Sequence, residues 1–432
     1  MIFYSVSPFA TPYREQLGRS EYQPSNYQAS WRQVRDQFPK NKNLDAARFP
    51  RAGSENRDFE PESTSGFRHR SEVAVFDLTP PSSVFSEGDT IVEHLRLSVY
   101  PHGTALLECV WRIEEPDFTA LNGDLVDIHE RVLESVGGTV QFLLASLSSL
   151  AFDAGILAKL PAKTSATAQL SPRWTSGAMI LDAEVVPHTS VAEWLGAQGL
   201  EDAEIAQFCS GDRSQVATWM RYVYRIAGAR SSSLLDSQEI RPMRYCQYIY
   251  AAAEIADEGL SVALGRSYDN VRHREVSAVR TTLNESANRL RVLDLEHSAL
   301  LKKISPGERS AIAQILTHWE FSDLVVTPAE AKGTAARERL AELTSRNQRT
   351  AALISEVILL GIALTSLFAT VLALMQYGRS MVSDPTYSSY AQESGSFLDQ
   401  LSGVSTNAML IGTFTICIVL SAAYLAVKMR DR

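Results

Sequence analysis

The stretch VILLGIALTSLFATVLALM, Val357 to Met375, carries no charged residue, and a second uncharged apolar run, Ala408 to Val427, follows it. Each is close to the roughly 20 residues a helix needs to cross a ~30 Å hydrocarbon core. Together they predict a membrane hairpin, residues 353–432, preceded by a large polar body. Positive residues near span ends stay on the cytoplasmic side. Lys332, Arg337, Arg339, Arg346 and Arg349 precede the first run, and Lys428, Arg430 and Arg432 follow the second. The loop between them, 378–407, holds one basic residue, Arg379, against Asp384, Glu393 and Asp399. Both termini are therefore expected in the cytoplasm, with the hairpin in the cell's inner (plasma) membrane and in contact with lipid.

Composition supports a folded body: 45% of the chain is hydrophobic and 21% charged, room for one or two ordered domains before the membrane. Cys109, Cys209, Cys246 and Cys417 are widely spaced and form no CxxC pair, which argues against disulfides and a zinc knuckle. The opening MIFYSVSPFATPYREQ lacks the basic segment and apolar stretch of a signal peptide, so insertion is expected to depend on the C-terminal runs. A net charge of −9 gives no support to nucleic-acid binding.

The expected fold class is α+β. Residues 1–70 are rich in Ser, Arg, Gln, Asn and Pro without sustained periodicity, the composition of an unstructured arm. From Glu72 the pattern alternates. Leu95, Leu97 and Val99 interleave with His94, Arg96 and Ser98, and Pro101-His102-Gly103 reads as a turn into Ala105 to Ile113, a hairpin partner. Leu125, Ile128, Val132 and Val136 then follow helical spacing up to a break at Gly137-Gly138; Val140 to Leu150 resumes it, and Met179 to Val186 reads as a further strand. Residues 71–240 thus form a mixed sheet with helices packed on it.

Residues 241–352 read as a helical stalk. Val276, Val279, Leu283, Ser286, Leu290, Leu293, His297, Leu300 and Ile304 are separated by steps of three and four, the seam of a coiled-coil helix, and Ser305-Pro306-Gly307 ends it. After a shorter helix around Ala311 to Leu324, the same spacing runs from Pro328 through Ala336, Leu340, Leu343, Asn347, Thr350, Ile354 and Val357. The stalk is expected to enter the membrane unbroken.

This organisation resembles the CorA-type family of magnesium and related divalent-cation transporters. The resemblance covers residues 72 to 432 and implies a cytoplasmic α/β domain, a homopentamer, a first span lining the pore, and Mg²⁺ or another divalent cation as permeant or regulatory ion. The family closes its pore with Tyr-Gly-Met-Asn; this chain reads Tyr377-Gly378-Arg379-Ser380. A ring of Arg379 side chains would repel a divalent ion unless the residue points away. The outer loop lacks the family's Met-Pro-Glu, with Asp384-Pro385 in its place.

Along the first span, Thr365, Thr370 and Gln376 could hold a hydrated ion through its water shell, while Phe368 and Met375 could form an apolar constriction; small-residue helix packing at Gly361, Thr365 and Ser366 is the alternative. Asp257, Glu258, Asp294 and Glu296 are candidates for the regulatory metal sites the resemblance implies, set against a solvated helix face. Arg272-His273-Arg274 could take an anionic small molecule. No GxGxxG, Walker loop, HExxH or GxSxG is present and no two histidines stand at i, i+4, so an enzyme is not expected. The competing reading is a membrane anchor, or a ligand-triggered membrane effector or signalling protein that kept this architecture and lost magnesium transport.

Overall fold

In a computed structural model, the structure describes residues 1–14, 24–52, 72–81, 90–113, 121–157, 171–183, 189–218, 221–268 and 273–382, together with 405, 407–408, 411–416 and 418–419. The fold is α+β and divides into two compact units, Met1–Arg339 and Leu340–Arg432.

The first unit is built on one eight-stranded sheet. Its strands are β1 (Ile2–Arg14), β2 (Leu44–Arg48), β3 (Ala74–Leu78), β4 (Thr90–Val99), β5 (His102–Ile113), β6 (Ser176–Asp182), β7 (Gln215–Thr218) and β8 (Arg221–Ile226). They lie in the order β2-β3-β4-β5-β1-β6-β8-β7, antiparallel except for β6 beside β8. The expected hairpin is β4–β5, with Val99 opposite Ala105. Tyr100 N–H donates to the Thr104 carbonyl across the turn, and Gly103 adopts φ 81°, a conformation that favours glycine.

Helices cover both faces of the sheet. One face packs under α1 (Pro24–Gln37), α2 (Leu121–Asp153), α3 (Thr189–Ala197) and α4 (Asp202–Ser210), with Trp31, Trp111, Leu143 and Phe208 in its core. The other packs under α5 (Ser231–Leu234), α6 (Arg241–Tyr268), α7 (His273–Leu301) and α8 (Pro306–His318), around Tyr4, Leu106, Tyr248 and Ile312.

Two expectations are corrected. Residues 1–70 are not an arm where they are described: β1 lies between β5 and β6, and α1 and β2 follow it. A strand covered on both faces need not alternate, and β1 buries Ser5, Ser7 and Thr11 among its apolar residues. Pro8 is tolerated because the last β6 pair is Val6 with Ser176. The Pro8 carbonyl accepts from Arg173 on that side, so the N–H it lacks would face away from β5. Gly137-Gly138, in turn, does not interrupt α2, which runs from Leu121 to Asp153. Two glycines in one turn cost helix propensity, which burial of Val132, Val136, Val140, Leu143 and Leu147 on the same stripe offsets.

The α7 seam is as expected. Val276, Val279, Leu283, Ser286, Leu293, Leu300 and, just beyond the helix end, Ile304 are buried, Leu290 and His297 are half-buried, and the helix packs on α6. The helices approach closely where Gly259 meets Ser286: a Cβ on Gly259 would stand 3.1 Å from Ser286 Cβ. Ser305 caps α8 in a capping box with Glu308. The expected helix around Ala311 to Leu324 is α8 followed by a π turn, Ser322–Val326, with Glu320 between them at φ 49°. The last helix, α9 (Thr327–Val382), is 56 residues long and unbroken.

In the second unit α9 carries the first apolar run, of which Ile358–Leu374 forms an apolar helical stretch. Among the described residues the one helix long and apolar enough to cross a membrane is Asp127–Asp153, and it is a core helix whose apolar stripe is buried on the sheet. Much of the second run and most of loop 378–407, including Asp384-Pro385, lie outside the described residues.

Candidate functional site

The face of the sheet under α5 and α6 carries a buried charge network that periodicity does not reveal. Glu108 on β5 is fully buried and accepts from Arg244 Nε of α6 at 2.6 Å, from the Tyr4 hydroxyl at 2.8 Å and from Ser98 Oγ at 2.9 Å. Arg244 also donates to the Leu235 carbonyl. Beside it Arg96 binds Asp77 at 2.7 Å and Asp236 at 2.9 Å, and Arg48 joins Asp77. Burial and the adjacent Glu108 carboxylate hold the Tyr4 phenol well above its ordinary pKa. Burial raises that of Asp236, but its hydrogen bond and charge interaction with Arg96 outweigh this, leaving the carboxyl below its usual range. A buried ion pair whose two carboxylate oxygens both accept hydrogen bonds acts as a lock, and this one fixes α5 and α6 onto the sheet. A lone glutamate or arginine inside a strand or helix reads as a surface residue until its partner is known, so sequence reasoning missed it.

α6 and α7 meet the β4–β5 turn, and each other, through ring and hydrogen-bond contacts. Tyr100 stacks on Tyr248 with ring centroids 4.1 Å apart, His102 Nε2 lies 3.0 Å from Glu296, and Tyr245 bonds His297 at 3.1 Å. Burial lowers the pKa of His297, against the opposing charge of Asp294.

Within one copy of the chain the four acids expected at inter-subunit metal sites are not brought together. Tyr248 stands level with Glu296 and Gly259 with Ser286, so Asp257 and Glu258 lie about 14 Å along α6 from Glu296. Asp257 is engaged by Lys332 at 2.6 Å and Glu258 by Arg173 at 2.6 Å. Asp294 faces a cavity with His297. Among the described residues no group of three His, Cys, Asp or Glu is arranged to hold a metal. The side chains of Arg272, His273 and Arg274 lie outside the described ones.

Along the first apolar run Thr365 Oγ1 donates to the Gly361 carbonyl and Thr370 Oγ1 to Ser366 at 2.9 Å, the way hydroxyls are satisfied within a helix. Phe368 is half-buried, Gln376 and Ser380 are exposed, and Tyr377 is 52% exposed. The side chains of Met375 and Arg379 and the exposure of Gly378 lie outside what is described.

Compared with protein-family models, curated proteins and solved structures, the chain matches none. Its function is therefore argued from its own residues. Among the described residues the nearest approach to a nucleophile geometry is Ser5 Oγ on β1, 2.8 Å from His129 Nδ1 on α2, and both residues are wholly buried between the two elements. Burial pushes His129 down to about 3, so the ring is neutral. Cys109 is buried beside them, its thiol pKa raised by desolvation. No substrate reaches such a pair. Cys109, Cys209 and Cys246 are free thiols.

Proposed function

We propose that this chain is a CorA-like, oligomeric two-span protein of the inner membrane, both termini cytoplasmic, which passes ions under control of its Met1–Arg339 body. A divalent cation such as Mg²⁺ is the first ion to test, and the reading includes no catalytic step. The observation that carries it is α9. One helix begins with Ala329, Ala336 and Leu340 buried and continues into an uncharged run whose Ile358, Leu359, Ile362, Leu367 and Leu374 are exposed. A helix apolar on every side belongs in lipid or against other helices, and continuity lets a change at its base be felt along its length. The partners of that surface are lipid and other copies of the chain, five by resemblance.

The departure at Arg379 and Ser380 favours a second reading, a ligand-triggered effector of the same architecture that does not carry magnesium. Ion flux in liposomes decides between them. Divalent flux through the wild type supports a transporter. Divalent flux only after Arg379→Met with Ser380→Asn supports a pore of changed selectivity. No flux of any cation or anion in either protein rejects conduction and leaves an anchor or effector.

A further inference from the structure

An open cavity of about 330 Å³ is lined by α6, α7, the π turn and the first turns of α9, at the lower end of the roughly 300–1,000 Å³ of small-molecule pockets. Its floor is apolar, with Leu260, Leu290, Leu293 and Phe321 among the lining residues. Its rim is charged in both signs: Arg291 and Asp294 on α7, Glu330 and Arg337 on α9. Among the described residues the side chains of Arg291, Arg337 and Glu330 make no hydrogen bond or ion pair with the protein, and that of Asp294 is engaged only electrostatically, by His297.

We infer that this cavity binds a small zwitterion with an apolar body, its anionic end taken by the arginines and its cationic end by Asp294 and Glu330. The two positive and two negative side chains balance, so a simple anion would meet two carboxylates and a simple cation two guanidinium groups. An uncharged ligand would strip water from four charged groups and return nothing. Spacing agrees: Glu330 and Arg337 stand two turns apart on one stripe of α9, about 10 Å, and Arg291 and Asp294 about 4.5 Å apart on α7. Two residues of extended peptide span about 7 Å, so an apolar dipeptide is the simplest molecule of this class. A zwitterionic lipid headgroup is the other source of the same chemistry.

Gly333 supports the assignment. It is buried midway along the α9 stripe, where a Cβ would come no nearer than 3.8 Å to Leu260. A glycine inside a helix costs about 1 kcal/mol relative to alanine, and here its effect is to leave the cavity open. The wall opposite rests on the π turn that follows Glu320, a non-glycine residue held at φ 49°. Strained residues and π turns both collect at sites that move. Because α9 continues unbroken to Val382, occupancy would bias that helix; this regulatory step rests on the channel reading above, whereas the binding site does not.

The test uses the full-length protein in a nonionic maltoside, with the dipeptide Leu-Phe as probe and binding read by calorimetry. Leu-Phe is expected to bind, and its N-acetyl and C-terminal amide forms, each lacking one charge, to bind about tenfold or more weakly. Gly333→Leu should abolish binding. Should that variant fail to fold, Arg337→Gln should weaken Leu-Phe and the N-acetyl form while sparing the amide. Dihexanoylphosphatidylcholine below its micelle concentration, binding where Leu-Phe does not, assigns the site to a lipid headgroup. Binding of neither probe, or binding unchanged in both variants, overturns the proposal. Liposome flux separates it from the channel reading: binding without flux upholds the site and removes the channel.

Discussion

Glu108 makes the sharpest prediction at the scale of a residue. Removing one partner of a buried, hydrogen-bonded ion pair leaves a charge without compensation and typically costs about 3–5 kcal/mol. Glu108→Gln, which strands Arg244, is expected to destabilise the protein by that order. Glu108→Leu with Arg244→Met, which removes both charges, should cost less than the sum of the two single changes; urea unfolding followed by tryptophan fluorescence measures both. His129 gives a pH dependence. Its folded value, about 3, lies below the unfolded value near 6.5, so the folded state binds fewer protons between them. Stability should be unaffected by this residue above about pH 6.5 and fall by about 1.4 kcal/mol per unit below it, until the pH nears 3. His129→Asn, which can still meet Ser5, should flatten that limb; an unchanged slope would rule the residue out as its source. Neither residue was legible in the sequence, because what matters in each is a partner at least 100 positions away: Ser5 for His129, and both Tyr4 and Arg244 for Glu108.

At the scale of elements, periodicity was legible wherever one face is buried and the other wet. The α7 seam is of that kind; the β4–β5 hairpin, buried on both faces along most of β5, was legible instead from the apolar–polar alternation of β4 and the Pro101-His102-Gly103 turn. It failed in β1, where both faces are covered and polar residues are buried with apolar ones, and at Gly137-Gly138, where tertiary packing outweighs propensity. The second failure is testable. Nothing lies within 4 Å of a Cβ at either glycine, so Gly137→Ala and Gly138→Ala should each stabilise α2 by about 0.5–1 kcal/mol. Gly259→Val should act in the opposite direction, because it drives α6 off Ser286 of α7. Thermal unfolding of the three variants gives the signs directly. The candidate cavity was hidden for a related reason: Asp294 reads as a metal candidate or a solvated face, and nothing joins it to Arg291 until α9 is laid beside α7.

The whole molecule divides between a body that its own packing explains and an apolar helix that needs an environment to explain it. If lipid is that environment, the wild type should stay in the membrane pellet after alkaline carbonate extraction. Leu367→Arg, at the middle of the run, opposes insertion by about 2.5–3.5 kcal/mol and should release a measurable fraction. Equal solubility of both proteins would remove the membrane reading. The placement of β1 has a further consequence, for synthesis. Of the described strands of the sheet, the earliest in the chain sits between partners that begin about 100 and 170 residues later. At 5–20 residues per second, a ribosome leaves it unpaired for roughly 5–20 s before β5 is complete. A nascent chain with an exposed apolar strand for that long invites chaperone capture, and the order of assembly is set: the sheet closes around β1 only after β6 emerges, well before the apolar part of α9 is translated.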